Sequence, residues 1–86
     1  MEATATGTTP KLIPNVVRPN EVLTVKNLDA SQIHEILVFS TTGELIATYK
    51  ADKVSEFMFR ANHSLGYYLV DIINENGSTT LRYVVK

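Results

Sequence analysis

The chain has 86 residues, 44% of them hydrophobic and 20% charged, which is enough apolar sequence for the core of one small domain at most. Its formal net charge is −1 and its eight Lys and Arg residues are scattered, so no basic face for nucleic acid is predicted. Cysteine is absent, which excludes disulfides and thiolate ligands, and the apolar runs fall far short of the roughly 20 residues that cross a bilayer.

Residues 1–12 have the composition of a linker. They are small and polar, rich in Thr and Ala, and include Gly7 and Pro10. Because an apolar alternation begins only near Leu12 or Ile13, we predict a flexible linker over residues 1–12 and one folded domain over residues 13–86.

The first half of that domain alternates with the period of two that is typical of β-strands. PNVVRPN (14–20) carries two prolines, which favour an edge or an irregular lead-in. In VLTVKNL (22–28), Leu23 and Val25 are predicted to face the core. IHEILVFS (33–40) is apolar on both faces, as expected of a central strand, and LIATYK (45–50) returns beside it.

The second half repeats the pattern. VSEFMFR (54–60) puts Phe57 and Phe59 on one face, and YYLVDIIN (67–74) is the strongest strand candidate. The final strand, LRYVVK (81–86), pairs with it across the Asn76-Gly77 turn. In the first of these strands Tyr68, Val70 and Ile72 are predicted to face the core. In the final strand Leu81, Tyr83 and Val85 share one face, and Arg82, Val84 and Lys86 share the other.

Six to seven short strands joined by hairpins predict an all-β domain, an immunoglobulin-like antiparallel β-sandwich. A small closed barrel is the alternative. The TTGE segment (41–44) is predicted to form a hairpin turn in which Gly43 takes a positive φ.

Few residues suggest chemistry. His34 and His63 are the only histidines, and we expect a half-exposed strand histidine and a loop histidine, not a zinc site. Ser64 adjoins His63, but no orienting third group is evident. Asp71 is expected to be a solvated carboxylate; a calcium site with Asn74, Glu75 and Asn76 is the alternative. We therefore predict no catalytic residues, no metal and no cofactor.

The outer face of the strand at 67–74 is unusually apolar. Tyr67, Leu69 and Ile73 share this face with Asp71. Exposed apolar patches often mark partner surfaces, so we expect either a partner or another domain of the parent protein to cover them.

Read together, four segments resemble one known family. They are PNVVRPNEVLTV, ILVFSTTGELI, FMFRANHSLGYYLVDIINENG and LRYVVK. In this order and spacing they are similar to the C-terminal sorting domain of proteins exported by the type IX secretion system of Bacteroidetes. That pattern has a PNP-type opening, a strand–TG–strand hairpin, G-x-Y-L-V-x-I, an NG turn and a short final strand. Val16 stands where the second proline of the opening motif would be, and the resemblance covers about residues 13–86.

The resemblance implies that the domain functions as a secretion signal. Cargo proteins of this family reach the periplasm and are then recognised through the folded C-terminal domain by an outer-membrane translocon. In many of them a sortase removes the domain and attaches the cargo to lipopolysaccharide at the cell surface. The implied partners are the translocon, the sortase and an upstream cargo domain, and cleavage is expected in or before residues 2–10, because proteases need extended chain.

The resemblance also implies roles for particular residues. Gly43, Gly66 and Gly77 match turn glycines of the family pattern. We predict recognition by the terminal strand, whose edge offers unpaired backbone groups, together with Tyr67 and Leu69. The terminal residues concerned are Arg82, Tyr83, Val84, Val85 and Lys86. Bare edge strands further predict a capacity to form a homodimer.

Two other functions stay open at this stage. One is a non-catalytic immunoglobulin- or fibronectin-like binding module of an extracellular protein. The other is an uncleaved domain of this type on a component of the secretion machinery. Neither is an enzyme.

Overall fold

The computed structural model describes residues 9–61 and 63–86, and these residues form eight β-strands and no helix. This part of the chain accordingly contains no helix that could cross a membrane. The strands are β1 Lys11–Ile13, β2 Val16–Val17, β3 Val22–Lys26, β4 Ile33–Ser40, β5 Leu45–Asp52, β6 Phe57–Arg60, β7 Gly66–Asn74 and β8 Gly77–Val85.

The strands form two separate sheets. The smaller has the order β1-β3-β6 and the larger the order β2-β8-β7-β4-β5. The predicted all-β sandwich is confirmed, and β4 is an interior strand between β7 and β5, as its two apolar faces indicated. One pair departs from the antiparallel prediction, because β2 runs parallel to β8. No hairpin connects β2 to β8, since β2 follows β1 of the other sheet, and so the chain is not forced to reverse between them.

Turn chemistry sets the hairpins of the larger sheet. The Ser40 amide donates to the Glu44 carbonyl at 2.9 Å, and the Gly43 amide donates to the Ser40 carbonyl at 3.0 Å. Gly43 has φ 91°, a conformation that other residues rarely adopt, as predicted. Gly66 and Gly77 also have positive φ, and the two-residue loop before Gly77 joins β7 to β8 as expected.

The core lies between the sheets and is built from the inward half of each alternation. Leu23 and Val25 of β3 are fully buried, as predicted. Aromatic rings bridge the two layers: Tyr49 of β5 lies 5.3 Å from Phe59 of β6, and Phe59 lies 6.1 Å from Tyr83 of β8, between ring centroids. Burial of these large apolar surfaces is the main stabilising term for a domain of this size.

Ordered structure begins earlier than the sequence suggests. Lys11 and Leu12, which we assigned to the linker, belong to β1, and Leu12 is buried against the core. The sequence gives little sign of this strand, because β1 has only one inward-facing residue and the residues before it are small and polar. Of the other predicted linker residues, 1–8 lie outside the described residues.

Candidate interaction surface

The structure brings most of the predicted recognition residues onto one exposed sheet face. Val84 pairs with Tyr67 and Arg82 pairs with Leu69 in the β7–β8 ladder, so all four side chains share the outer face of the larger sheet. Tyr67 is 69% exposed and Leu69 is 36% exposed. The outer alternation predicted for β7 is therefore confirmed.

Register extends this surface to residues that the sequence did not single out. Val16 of β2 lies opposite Val84 and is exposed, while Phe39 of β4 lies opposite Leu69. Leu45 of β5, also exposed, lies opposite Phe39 beside a β-bulge. We define the outer-face patch as the apolar residues Val16, Phe39, Leu45, Tyr67, Leu69 and Val84. Ile73, the third apolar residue predicted here, is half-buried and lies farther along β7.

Two predicted recognition residues point the other way. Tyr83 is 2% exposed and Val85 is 1% exposed, because the alternation that exposes Arg82 and Val84 turns their neighbours into the core. Their side chains are structural. Lys86 follows the last strand residue and is exposed.

The terminal strand is not a bare edge along its whole length, contrary to our expectation. The Val84 amide donates to the Asn15 carbonyl at 3.0 Å, and the Lys86 amide donates to the Val17 carbonyl at 2.9 Å. The outward backbone groups at the end of β8 are thus occupied by β2. Backbone groups of alternate residues in β8 point in the same direction as those of Val84, away from β7. Among the described residues, the outward backbone groups of β8 that do not pair with β2 therefore belong to Ser78, Thr80 and Arg82.

His63 joins the loop before β7 to the core. Its Nε2 lies 2.6 Å from the Tyr83 hydroxyl oxygen, and the Tyr68 hydroxyl donates to the Ser64 carbonyl at 2.6 Å. The His63 and Tyr68 rings are 4.9 Å apart. Burial lowers the pKa of His63, and burial together with the neighbouring Tyr68 and Tyr49 raises the pKa of Tyr83. These contacts make His63 a packing residue, and no contact links its ring to the Ser64 hydroxyl.

His34 is buried, and the prediction of a half-exposed side chain is wrong. The alternation of β4 turns it inward with Ile36 and Val38. Asn74 accepts the Asn76 amide through Oδ1 at 2.8 Å, so its Nδ2 donates to Nε2 of His34 at 3.2 Å. The proton of a neutral ring then lies on Nδ1, which has no partner among the described residues.

A polar cavity of 310 Å³ lies beside the β7–β8 hairpin. Thr9 and Pro10 line it together with Gly77 and Ser78 of the hairpin. Nowhere in residues 9–61 and 63–86 do three His, Asp or Glu side chains converge as metal ligands would. Asp71, the centre of the alternative calcium site, instead accepts a hydrogen bond from the Thr80 hydroxyl at 2.7 Å.

No protein-family model matches this chain, and no curated protein matches it in sequence.

Proposed function

We propose that this domain is a C-terminal secretion signal that directs a folded cargo protein through the type IX outer-membrane translocon. The support is the resemblance of residues 13–86 to that family, together with an all-β sandwich in which the turn glycines of the motif have positive φ. The domain is not an enzyme in this proposal; its role is to be recognised.

The observation that carries the proposal is the part of the outer-face patch that lies on the β7–β8 strand pair. Tyr67, Leu69 and Val84 lie together on strands that the resemblance covers, with the exposed Arg82 beside them. A contiguous apolar surface rimmed by a cation is typical of a protein-binding surface, in which buried aromatic residues and Arg contribute most of the affinity.

In this proposal the translocon reads side chains of the outer face and not the backbone at the chain's last strand residues. The amides of Val84 and Lys86 already bond to β2, so a partner strand would have to displace β2 to pair there. The side chains of Tyr67, Leu69 and Arg82 need no rearrangement to be contacted.

The destination of the cargo follows from the same proposal. The parent protein would cross the periplasm to the outer membrane and reach the cell surface or the medium. A sortase would cut in or before residues 2–10, of which residues 2–8 lie outside the described part of the chain.

The experiment fuses residues 1–86 behind a periplasmic reporter in a bacterium with a working type IX system. We expect the reporter at the cell surface in the parent strain and in the periplasm of a translocon mutant. Display that persists in the translocon mutant, or a reporter that stays periplasmic in both strains, contradicts the proposal.

Two surface variants test the patch itself. Leu69→Ser and Arg82→Glu should reduce display of the fusion at least several-fold while the purified domain still unfolds cooperatively. The matched control is Met58→Ser, which removes an apolar side chain that is 66% exposed on the smaller sheet. If Leu69→Ser displays as well as Met58→Ser, the patch is not what the translocon reads.

The alternative of an extracellular binding module gains no support from the surface if its ligand is a carbohydrate. Such sites use exposed aromatic rings, and among the Tyr side chains Tyr67 alone is strongly exposed; Tyr68 and Tyr83 are buried and Tyr49 is half-buried. The other alternative, an uncleaved domain on a machinery component, shares the proposed surface. It predicts a fusion that reaches the outer membrane at full length.

A further inference from the structure

The outer edge of β5 is an open row of backbone hydrogen-bonding groups. The Ser40 amide points from β4 toward β5, so the backbone amides and carbonyls of alternate β4 residues also point toward β5. The β5 residues opposite them, Ala47, Tyr49 and Ala51, direct their backbone groups toward β4. The amides and carbonyls of the residues between them therefore point away from the sheet. These residues are Thr48, Lys50 and Asp52, and no strand of the described residues lies along this outward edge.

The other edges are less available. At the end of β8, the amides of Val84 and Lys86 bond to Asn15 and Val17, and at its start Thr9 and Pro10 line the same cavity as Ser78. β6 has only four residues, from Phe57 to Arg60. β5 has eight residues, and its bulge opposite Phe39 leaves a regular ladder from Ala47 to Asp52. Exposed strand edges of this length commonly pair with another strand.

We propose that two copies of this domain pair through antiparallel β5 edges, with the two Tyr49 residues facing each other at the two-fold axis. This pairing sets Thr48 of each copy opposite Lys50 of the other and joins the larger sheets into one sheet of ten strands. A two-fold interface of this kind uses the same edge twice and closes at two copies.

Charge and strand length select this register among its neighbours. Moving the axis one residue forward, to Lys50, sets Lys50 opposite Lys50 of the second copy. Like charges directly opposite each other destabilise a strand pair. Moving the axis back, to Thr48, leaves only Ala47 to Tyr49 of each strand overlapping in the regular ladder, because the bulge lies just before Ala47. Moving the axis to Ala51 creates Lys50–Asp52 pairs, but β5 ends at Asp52 and Lys53 has φ 56°, so only three residues of each strand overlap.

The side-chain rows agree with the chosen register. Within one copy Glu35 lies opposite Lys50, and Leu37 lies opposite Thr48, on the outer face. Across the axis the row becomes Glu35, Lys50, then Thr48 and Leu37 of the second copy, with no like charges adjacent. Lys50 thus keeps its own carboxylate neighbour and meets a neutral side chain.

The test measures self-association of residues 1–86 by sedimentation velocity at total concentrations up to about 1 mM, where millimolar dissociation constants are visible. Thr48→Glu sets a carboxylate opposite Lys50 of the second copy, twice per dimer, and should tighten association about 2- to 30-fold at low salt. Thr48→Lys should weaken it by a similar factor. The matched control is Ser78→Glu, on the outward edge of β8, which should leave it unchanged.

A backbone test complements the charge series. Thr48→Pro deletes an outward amide that the domain's own ladder does not use, so folding is retained and association is lost. If this variant fails to fold, the two charge variants still decide. A wild-type domain that stays monomeric at all concentrations overturns the proposal, and this is the result expected if the natural occupant of the edge is a strand from a different protein. Equal changes in the dissociation constant for Thr48→Glu and Ser78→Glu also overturn it.

Discussion

The Nε2 atom of His63 lies 2.6 Å from the hydroxyl oxygen of Tyr83, although 20 residues separate them in sequence. This bond connects the loop before β7 to the inner face of β8. Tyr83 also stacks on Tyr68, whose own hydroxyl donates to the same loop at Ser64. One end of the sandwich core is therefore a hydrogen-bonded aromatic cluster and not a purely apolar layer.

Tyr83→Phe should destabilise the domain by about 1–2 kcal/mol, because it leaves the half-buried His63 ring without its partner while the ring packing is kept. Urea unfolding followed by circular dichroism measures the change. Tyr67→Phe is the matched control, since Tyr67 is exposed, and it should change stability by less than about 0.5 kcal/mol. Equal effects of the two variants would contradict a structural role for the His63–Tyr83 bond.

Stability should fall as the solution becomes mildly acidic. Burial lowers the pKa of His63 in the folded domain below its ordinary value of 6.5, so the unfolded chain binds the proton more tightly. The contribution is fully present above pH 6.5 and is lost as the pH falls from there through the folded pKa. Unfolding free energies at a series of pH values should therefore decrease below that point.

His63→Phe isolates this contribution. It keeps an aromatic ring beside Tyr68 but has no group that titrates, so the difference in unfolding free energy between wild type and variant should shrink on acidification. A difference that is constant with pH would show that His63 does not titrate differently in the two states.

Val85→Ala should cost about 2 kcal/mol, because it removes two buried carbon atoms from a side chain that is 1% exposed. Val84→Ala, at the half-buried neighbouring position on the outer face, should cost clearly less. Chemical denaturation of the two variants compares the faces of one strand directly. A reversed order would mean that β8 has the opposite face toward the core.

Gly43→Val should destabilise the β4–β5 hairpin by about 1–3 kcal/mol, since φ 91° is strained for any residue with a side chain. No atom lies close to where its Cβ would be, so the cost is one of backbone conformation and not of steric clash. Thr41→Val in the same turn is the control and should be nearly neutral. Thermal unfolding measures both, and a tolerated valine at Gly43 would contradict the turn geometry.

Local patterns in the sequence predict much of this fold. Alternation alone identifies which side chains of β7 face inward, since Tyr68, Val70 and Ile72 are buried and Tyr67 is exposed. The hairpins follow from their turn residues because both strands lie next to the turn in sequence.

Long-range pairing is what local patterns miss. β2 joins β8 across most of the chain, and two residues carry no signal of their partner or of its direction. The sequence-based prediction of the outer-face patch lacks Phe39 and Leu45 for the same reason. These residues lie beside Leu69 only because of the strand order and of the bulge in β5. The predicted half-exposed position of His34 is wrong because the alternation of β4, and not the polarity of the side chain, decides its burial.

The cavity beside the β7–β8 hairpin places the start of the described chain at one end of β8. Thr9 and Pro10 line it together with Gly77 and Ser78, whereas Lys86 follows the other end of β8, roughly 27 Å away at the usual strand rise. In the proposed function, a cargo joined before residue 9 would therefore enter the domain at the hairpin end. The opposite end, with Tyr67, Val84 and Lys86, would stay available to the translocon while the cargo is attached.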